Sequence, residues 1–183
     1  HKVPSSNVSF ATDFWMAPTR NTPPQHTHHA ALGYFAEAAD GRINFSVEAY
    51  YQRMYRVLEY NAPLTGMVNN RYELERYIHS GDGEAYGAEL MLSYAGRRCN
   101  GWISYTLGKS VRKFDALNDG RPFPASLDRR HDLSLSLSYT PAERWELSTV
   151  FVYASGGAYT ATRDIFIAGG SFVRGHGSYN GAR

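Results

Sequence analysis

The chain has 183 residues, enough for one ordinary domain, and its 43% hydrophobic content excludes wholesale disorder. A formal net charge of +2 gives no basic field for nucleic acid, and the single cysteine, Cys99, excludes an intramolecular disulfide or a cysteine zinc cluster. No apolar run approaches the ~20 residues of a membrane helix, which leaves strand-built membrane proteins open because alternation hides their apolar face.

Residues 1–29 read as an irregular external segment, punctuated by Pro4, Pro18, Pro23 and Pro24 and anchored by Phe14-Trp15. Residues 30–38 form a short aromatic strand candidate, and Asp40-Gly41 behind it is a hairpin signal. The clearest period-2 pattern follows. Ile43, Phe45 and Val47 share one face with Ala49 and Tyr51, while Asn44, Ser46, Glu48, Tyr50 and Gln52 take the other. The run continues to Tyr60, with Arg53 on the side that was apolar, as expected of a strand leaving a bilayer. A long connection, 61–82, precedes a second alternation, with Tyr86, Ala88, Leu90, Leu92 and Tyr94 on one face. After a short turn at 96–101, Ile103, Tyr105 and Leu107 alternate with polar neighbours. Residues 109–130 are again a long connection, holding Asn118-Asp119-Gly120 and Pro122-Phe123-Pro124. The purest alternation comes next, Leu133, Leu135, Leu137 and Tyr139 against Asp132, Ser134, Ser136 and Ser138. A short turn at 140–144 leads to a strand carrying Trp145, Leu147, Phe151 and Tyr153. Beyond Gly156-Gly157 the pattern decays, with a weak strand near 165–168.

Connections therefore alternate short and long, placing tight turns at one end of an antiparallel sheet and long loops at the other, the habit of outer-membrane barrels. Tyr94, Tyr139, Trp145 and Tyr153 stand at strand ends like an aromatic girdle, and no helix is expected to cover the apolar face. The predicted fold is all-β, about six antiparallel strands of a transmembrane barrel. Ile43, Phe45 and Val47 are expected to face lipid, with Leu90 and Leu92 from the next strand and Ile103 and Leu107 from the third. Leu133, Leu135, Leu137 and Phe151 complete that surface. The competing readings are a soluble antiparallel sheet acting as a binding module, or a small outer-membrane barrel adhesin.

Chemistry-bearing residues are sparse. His26, His28 and His29 have imidazoles suited to transition metals, but no acidic or cysteine ligand stands beside them, and a solvated loop is the plainer reading. Arg129-Arg130-His131-Asp132 resembles acid–base machinery, yet Asp132 falls on the polar face, where an ion-pair network is the simpler role. Glu48 and Glu89 also fall there. No serine lies in a nucleophile elbow, and Gly81-Asp82-Gly83 lacks phosphate-loop spacing. The reading is of a protein that is not an enzyme and carries no cofactor. Tyr60, Tyr72, Tyr77, Phe114, Phe123 and Tyr159 lie in or beside the long connections, placed either to stack on a ligand or to form small loop cores.

Four stretches, FSVEAYYQRMYRVLEY at 45–60, GDGEAYGAEL at 81–90, GWISYTLGKS at 101–110 and FDALNDGRPFPASLDRRHDL at 114–133, resemble the barrel of TonB-dependent outer-membrane receptors of the Bacteroidetes type. The resemblance spans roughly residues 30–160, and SYNGAR at 178–183 looks like the lead-in to a further family strand. It implies a barrel of about 22 strands in the outer membrane of a Gram-negative bacterium, with a plug domain in the lumen. It further implies energy from the TonB complex, contact with outer-membrane lipid, and uptake of a scarce nutrient such as a siderophore, cobalamin, glycan or peptide. No plug, TonB box or terminal aromatic strand is seen, and closure needs at least about 8 strands. The expectation is therefore a late-barrel portion: an external segment at 1–29 and a partial barrel at 30–183.

Overall fold

The structure is a computed structural model that describes residues 2–3, 14–15, 18–20, 22–60, 78–168 and 171–181. Two-residue strands β1 (Lys2–Val3) and β2 (Phe14–Trp15) pair antiparallel. The main sheet contains β3 (His26–Ala38), β4 (Ile43–Tyr60), β5 (Ile78–Ala95), β6 (Cys99–Lys113), β8 (His131–Ala142) and β9 (Trp145–Ala154), hydrogen-bonded in that order. A short β7 (Phe123–Pro124) pairs back onto β6. Every pairing is antiparallel, and among the described residues β3 and β9 each have one neighbour, so the sheet is open. The fold is all-β and antiparallel, and among the described residues the one helical element is a 3-10 turn at Asn118–Gly120.

Backbone geometry follows local chemistry. Ala39, Asp40 and Gly41 adopt φ of 53°, 54° and 81° in the first short turn, a left-handed run that the Asp-Gly pair favours. Asn118, Asp119 and Gly120, with φ of 53°, 55° and 71°, make a left-handed turn from residue types that tolerate it.

The strands run farther than the alternation suggested. β3 begins at His26, inside the segment read as irregular, because His26 to His29 pair with Tyr55 to Gln52. Both sides of that stretch are polar, so no alternation marked it. β5 starts at Ile78 and β6 continues to Lys113, shortening the two long connections. The weak strand near 165–168 exists as β10 (Thr162–Ala168), but it pairs with β11 (Ser171–His176) in a separate hairpin.

One irregularity reorganises β4. Met54 pairs with Gly83 and Val57 with Gly81, so Tyr55 and Arg56 together oppose Asp82. This is a β-bulge, with Arg56 at φ 57° and its N–H 3.4 Å from the Asp82 carboxylate. The extra residue inverts the parity, turning Val57 and Glu59 to the same side as Met54.

Candidate functional site

The register sorts the sheet into rows with two unlike faces. One face carries Phe45, Leu92, Ile103, Leu135 and Phe151 in one row and Val47, Leu90, Tyr105, Leu133 and Tyr153 in the next. With Ile43, Leu107 and Leu137, all the residues expected on the apolar surface lie on this face. Toward the short turns it is bounded by Tyr94 and Tyr139, and toward the long loops by Tyr51 and Tyr86. Beyond those tyrosines the face turns polar. Arg53 pairs with the Glu84 carboxylate, and Lys109 lies over the Tyr86 ring at 5.9 Å. The opposite face is polar at its centre, where Glu48, Glu89, Thr106 and Asp132 form one row. In the neighbouring row Tyr50 lies over Gly87 and Gly108. A Cβ on Gly87 would stand 2.8 Å from the Tyr50 hydroxyl, so the paired glycines make room for that ring.

Burial divides the molecule just as sharply. None of the residues 26–53, 84–113 or 129–154 is buried. The buried side chains sit at the long-loop end, where Met54, Val57, Phe114, Leu117, Phe123 and Tyr179 form a small core. The bulge supplies Val57, and the two glycines of Gly81-Asp82-Gly83 provide hollows. A Cβ on Gly81 would come 2.4 Å from the Phe114 ring, and one on Gly83 would come 3.1 Å from Arg112 Cδ. Phe114 stacks on Phe123, which meets Tyr179 edge-on at 5.2 Å.

This cap is also tied by polar bonds. Asn118 Nδ2 donates to the Tyr179 carbonyl at 2.8 Å, and the Tyr179 N–H donates to Asn118 Oδ1 at 2.7 Å. Asn180, 1% exposed, donates from Nδ2 to the Pro124 carbonyl and to Ser126 Oγ, and its N–H meets Thr160 Oγ1. Asp128 accepts the Ser110 N–H at 2.6 Å. The Tyr179 hydroxyl donates to Glu59 Oε1 at 2.8 Å. Burial pushes the Glu59 carboxyl up, against the opposing pull of that hydroxyl and of Arg112. Burial likewise lowers Arg112, whose Nη1 is buried without a hydrogen-bond partner.

The sequence candidates are distributed unevenly over this frame. His28 and His29 occupy opposite faces of β3, His28 edge-on to Tyr55 and His29 edge-on to Tyr50. His26 shares the face of His28, and among the described residues no group of three metal-ligating side chains forms. Phe114 and Phe123 are interior to the cap, 1% and 3% exposed, so they form the loop core and have no free ring face. Tyr159 is exposed. Tyr60 closes β4 without a described side chain, and Tyr72 and Tyr77 lie outside the described residues. Arg129 stands 3.9 Å from Asp132, both well exposed, and His131 Nδ1 instead meets the Tyr105 hydroxyl at 2.7 Å on the apolar face. Glu59, Asn180 and the docking of Tyr179 were not read from sequence. The only trace was a carboxylate inside the apolar run Val57-Leu58 and the SYNG stretch noted for its resemblance.

Searches of curated proteins and of solved structures find no match. A family profile described as TonB dependent receptor-like, beta-barrel, matches residues 3–180. With an open antiparallel sheet, two unlike faces and a match across nearly its whole length, the chain belongs to the TonB-dependent receptor β-barrel family.

Proposed function

We propose that this chain is barrel wall and external loop of a receptor that takes up a scarce nutrient across a Gram-negative outer membrane. The observation that carries the reading is the bare apolar face bounded by tyrosine rows at both ends. From Ile43 to Tyr51 it covers eight steps of about 3.3 Å, or about 20 Å of height at a tilt of ~40°, near the ~25 Å band of such barrels. A soluble sheet would need a second layer to cover these rows. Among the described residues no helix covers these rows, and the only other sheets are the two-stranded pairs β1–β2 and β10–β11.

The polar face is then lumen wall. Glu48, Glu89 and Asp132 lie in one row, and neighbouring carboxylates repel unless cations approach from across the lumen. The receptor's plug is the source this reading assigns to them, and the TonB complex supplies the energy for gating. The long-loop end faces outward, where the cap and the exposed Tyr159 are positioned to meet solute. The chain contributes shape and surface to transport and performs no bond chemistry. Siderophores, cobalamin, glycans and peptides are the classes of solute to be tested.

An antibody against residues 110–130 used on fractionated cells tests the reading. A band in the outer membrane supports it. A soluble band overturns it and leaves the apolar sheet face to find a protein partner.

A further inference from the structure

The cap lies on one side of the sheet. Met54, Gly83 and Arg112 form a row four residues beyond that of Tyr50, Gly87 and Gly108, and an even step along a strand keeps the face, so both rows belong to the polar face. The bulge in β4 extends that face. Without its extra residue Val57 and Glu59 would point to the apolar side, and with it they continue the row of Met54.

The cap also spans several strands. A Cβ on Gly81 would come 2.4 Å from the Phe114 ring, so that ring occupies the place of a side chain on β5. Phe123 opposes Arg112 of β6. Tyr179 meets Phe123 edge-on at 5.2 Å and donates its hydroxyl to Glu59 of β4, so it bridges β4 to the flank of β6 with β5 between them. Ala85, two residues below Gly83, packs against the same core. The loop is fastened along β6 as well. The Ala125 N–H donates to the Ser110 carbonyl at 3.0 Å, and the Ser110 N–H donates to Asp128 at 2.6 Å. Among the described residues no member of the core comes from β8 or β9.

We propose that the cap is a fixed shelf over the part of the lumen mouth that stands above β4, β5 and β6, and that it limits by size which solutes reach the wall beneath it. The inference rests on the receptor reading, in which the polar face is the lumen. The shelf acts by exclusion, because Phe114 and Phe123 are 1% and 3% exposed and have no ring face left for stacking. Beneath it the wall is polar. From Ala85 to Glu89 is four residues, about 13 Å along the strand at ~3.3 Å per residue. Tyr50 stands in that interval beside Gly87, and Glu48 pairs with Glu89 at its foot. A small solute fits under such an overhang, and a bulky one meets the shelf first.

Thiol labelling in the outer membrane of intact cells tests it, on the receptor that contains this chain with Cys99→Ser and one new cysteine. Glu89→Cys lies beneath the shelf on β5. Ala154→Cys lies in the same row on β9, beyond the shelf. The rate with a polymer-linked maleimide is taken relative to that with a small one at the same cysteine. This ratio should be several-fold lower at Glu89→Cys than at Ala154→Cys. Adding Phe114→Ala should raise it several-fold at Glu89→Cys and leave Ala154→Cys unchanged. Equal ratios at the two positions, or a ratio at Glu89→Cys that Phe114→Ala does not raise, overturn the shelf. Asn118→Ala, which cuts both side-chain bonds to Tyr179, replaces Phe114→Ala should that variant fail to reach the membrane. Leu135→Cys, on the apolar face, separates the two readings. Shielded by lipid, it should react with neither reagent. If it reacts as fast as Glu89→Cys, the receptor reading falls and the shelf with it, whereas the other two failures remove the shelf alone.

Discussion

The barrel wall and the cap obey different rules within one chain. In the wall, from Ile43 to Tyr51 and its neighbours, no side chain is buried, and order comes from ladder hydrogen bonds and from the sorting of side chains between two faces. In the cap, a handful of aromatic and aliphatic side chains pack to within 1–8% exposure, and Asn118, Asp128 and Asn180 hold loop backbone in place. In the proposed barrel the wall would take its apolar environment from lipid, whereas the cap makes its own. The cap should behave as a small water-soluble core, sensitive to volume and lost hydrogen bonds. The wall should tolerate changes of volume and be sensitive to charge.

The largest effect that would break this contrast is at Phe114. Phe114→Ala removes a ring that is 1% exposed and should destabilise the cap by about 3–5 kcal/mol. Exchange protection should collapse at 114–128 and 178–181 and persist in β8. A uniform loss through the sheet would show that wall and cap are one cooperative unit. The next effect is on the wall. Leu135→Arg places a charge in the middle of the apolar rows and should oppose membrane insertion by about 2–4 kcal/mol. Heat-modifiable protein in the outer membrane measures it, and an undiminished yield would mean the face is misassigned. Smaller is Asn118→Ala, which removes both side-chain bonds to Tyr179 and should cost about 1–3 kcal/mol of cap stability. Proteolysis within the β10–β11 hairpin should then accelerate, and unchanged cleavage would mean that the hairpin's anchorage does not depend on those bonds. Smallest is Arg56→Gly at the bulge, where φ is 57°. Relief of left-handed strain, offset by the entropy of glycine, should leave a gain of about 0.5 kcal/mol, read as a small rise in melting temperature.

The wall was legible because its rule is local. Leu133, Leu135 and Leu137 alternate with serines, and period 2 assigns their faces with no knowledge of partners. Asp40-Gly41 signalled a hairpin for the same reason, since the backbone preference belongs to the residue. The alternation of short and long connections then put the tight turns at one end of the sheet and the long loops at the other. Where both faces are polar the rule fails, and the start of β3 at His26 was missed because pairing with β4, not patterning, extends the strand. β10 was visible as a strand, but its partner was not, because strand pairing is decided by a chain that must return.

The cap was mostly hidden. The phenylalanines at 114 and 123 stood out as aromatic residues in a long connection, equally fit to meet a ligand or a loop core. Only packing against Gly81, Met54 and Tyr179 places them inside. The bulge that turns Glu59 inward depends on one unpaired residue opposite Asp82, which no periodicity announces. The sequence by itself determined an all-β chain with one apolar face, its turns and its family resemblance, because these depend on neighbours two to four residues apart. Tertiary structure decided which side Val57 and Glu59 take and where the 178–181 segment docks. It also decided that Phe114 and Phe123 are core, because each depends on contacts between residues tens of positions apart.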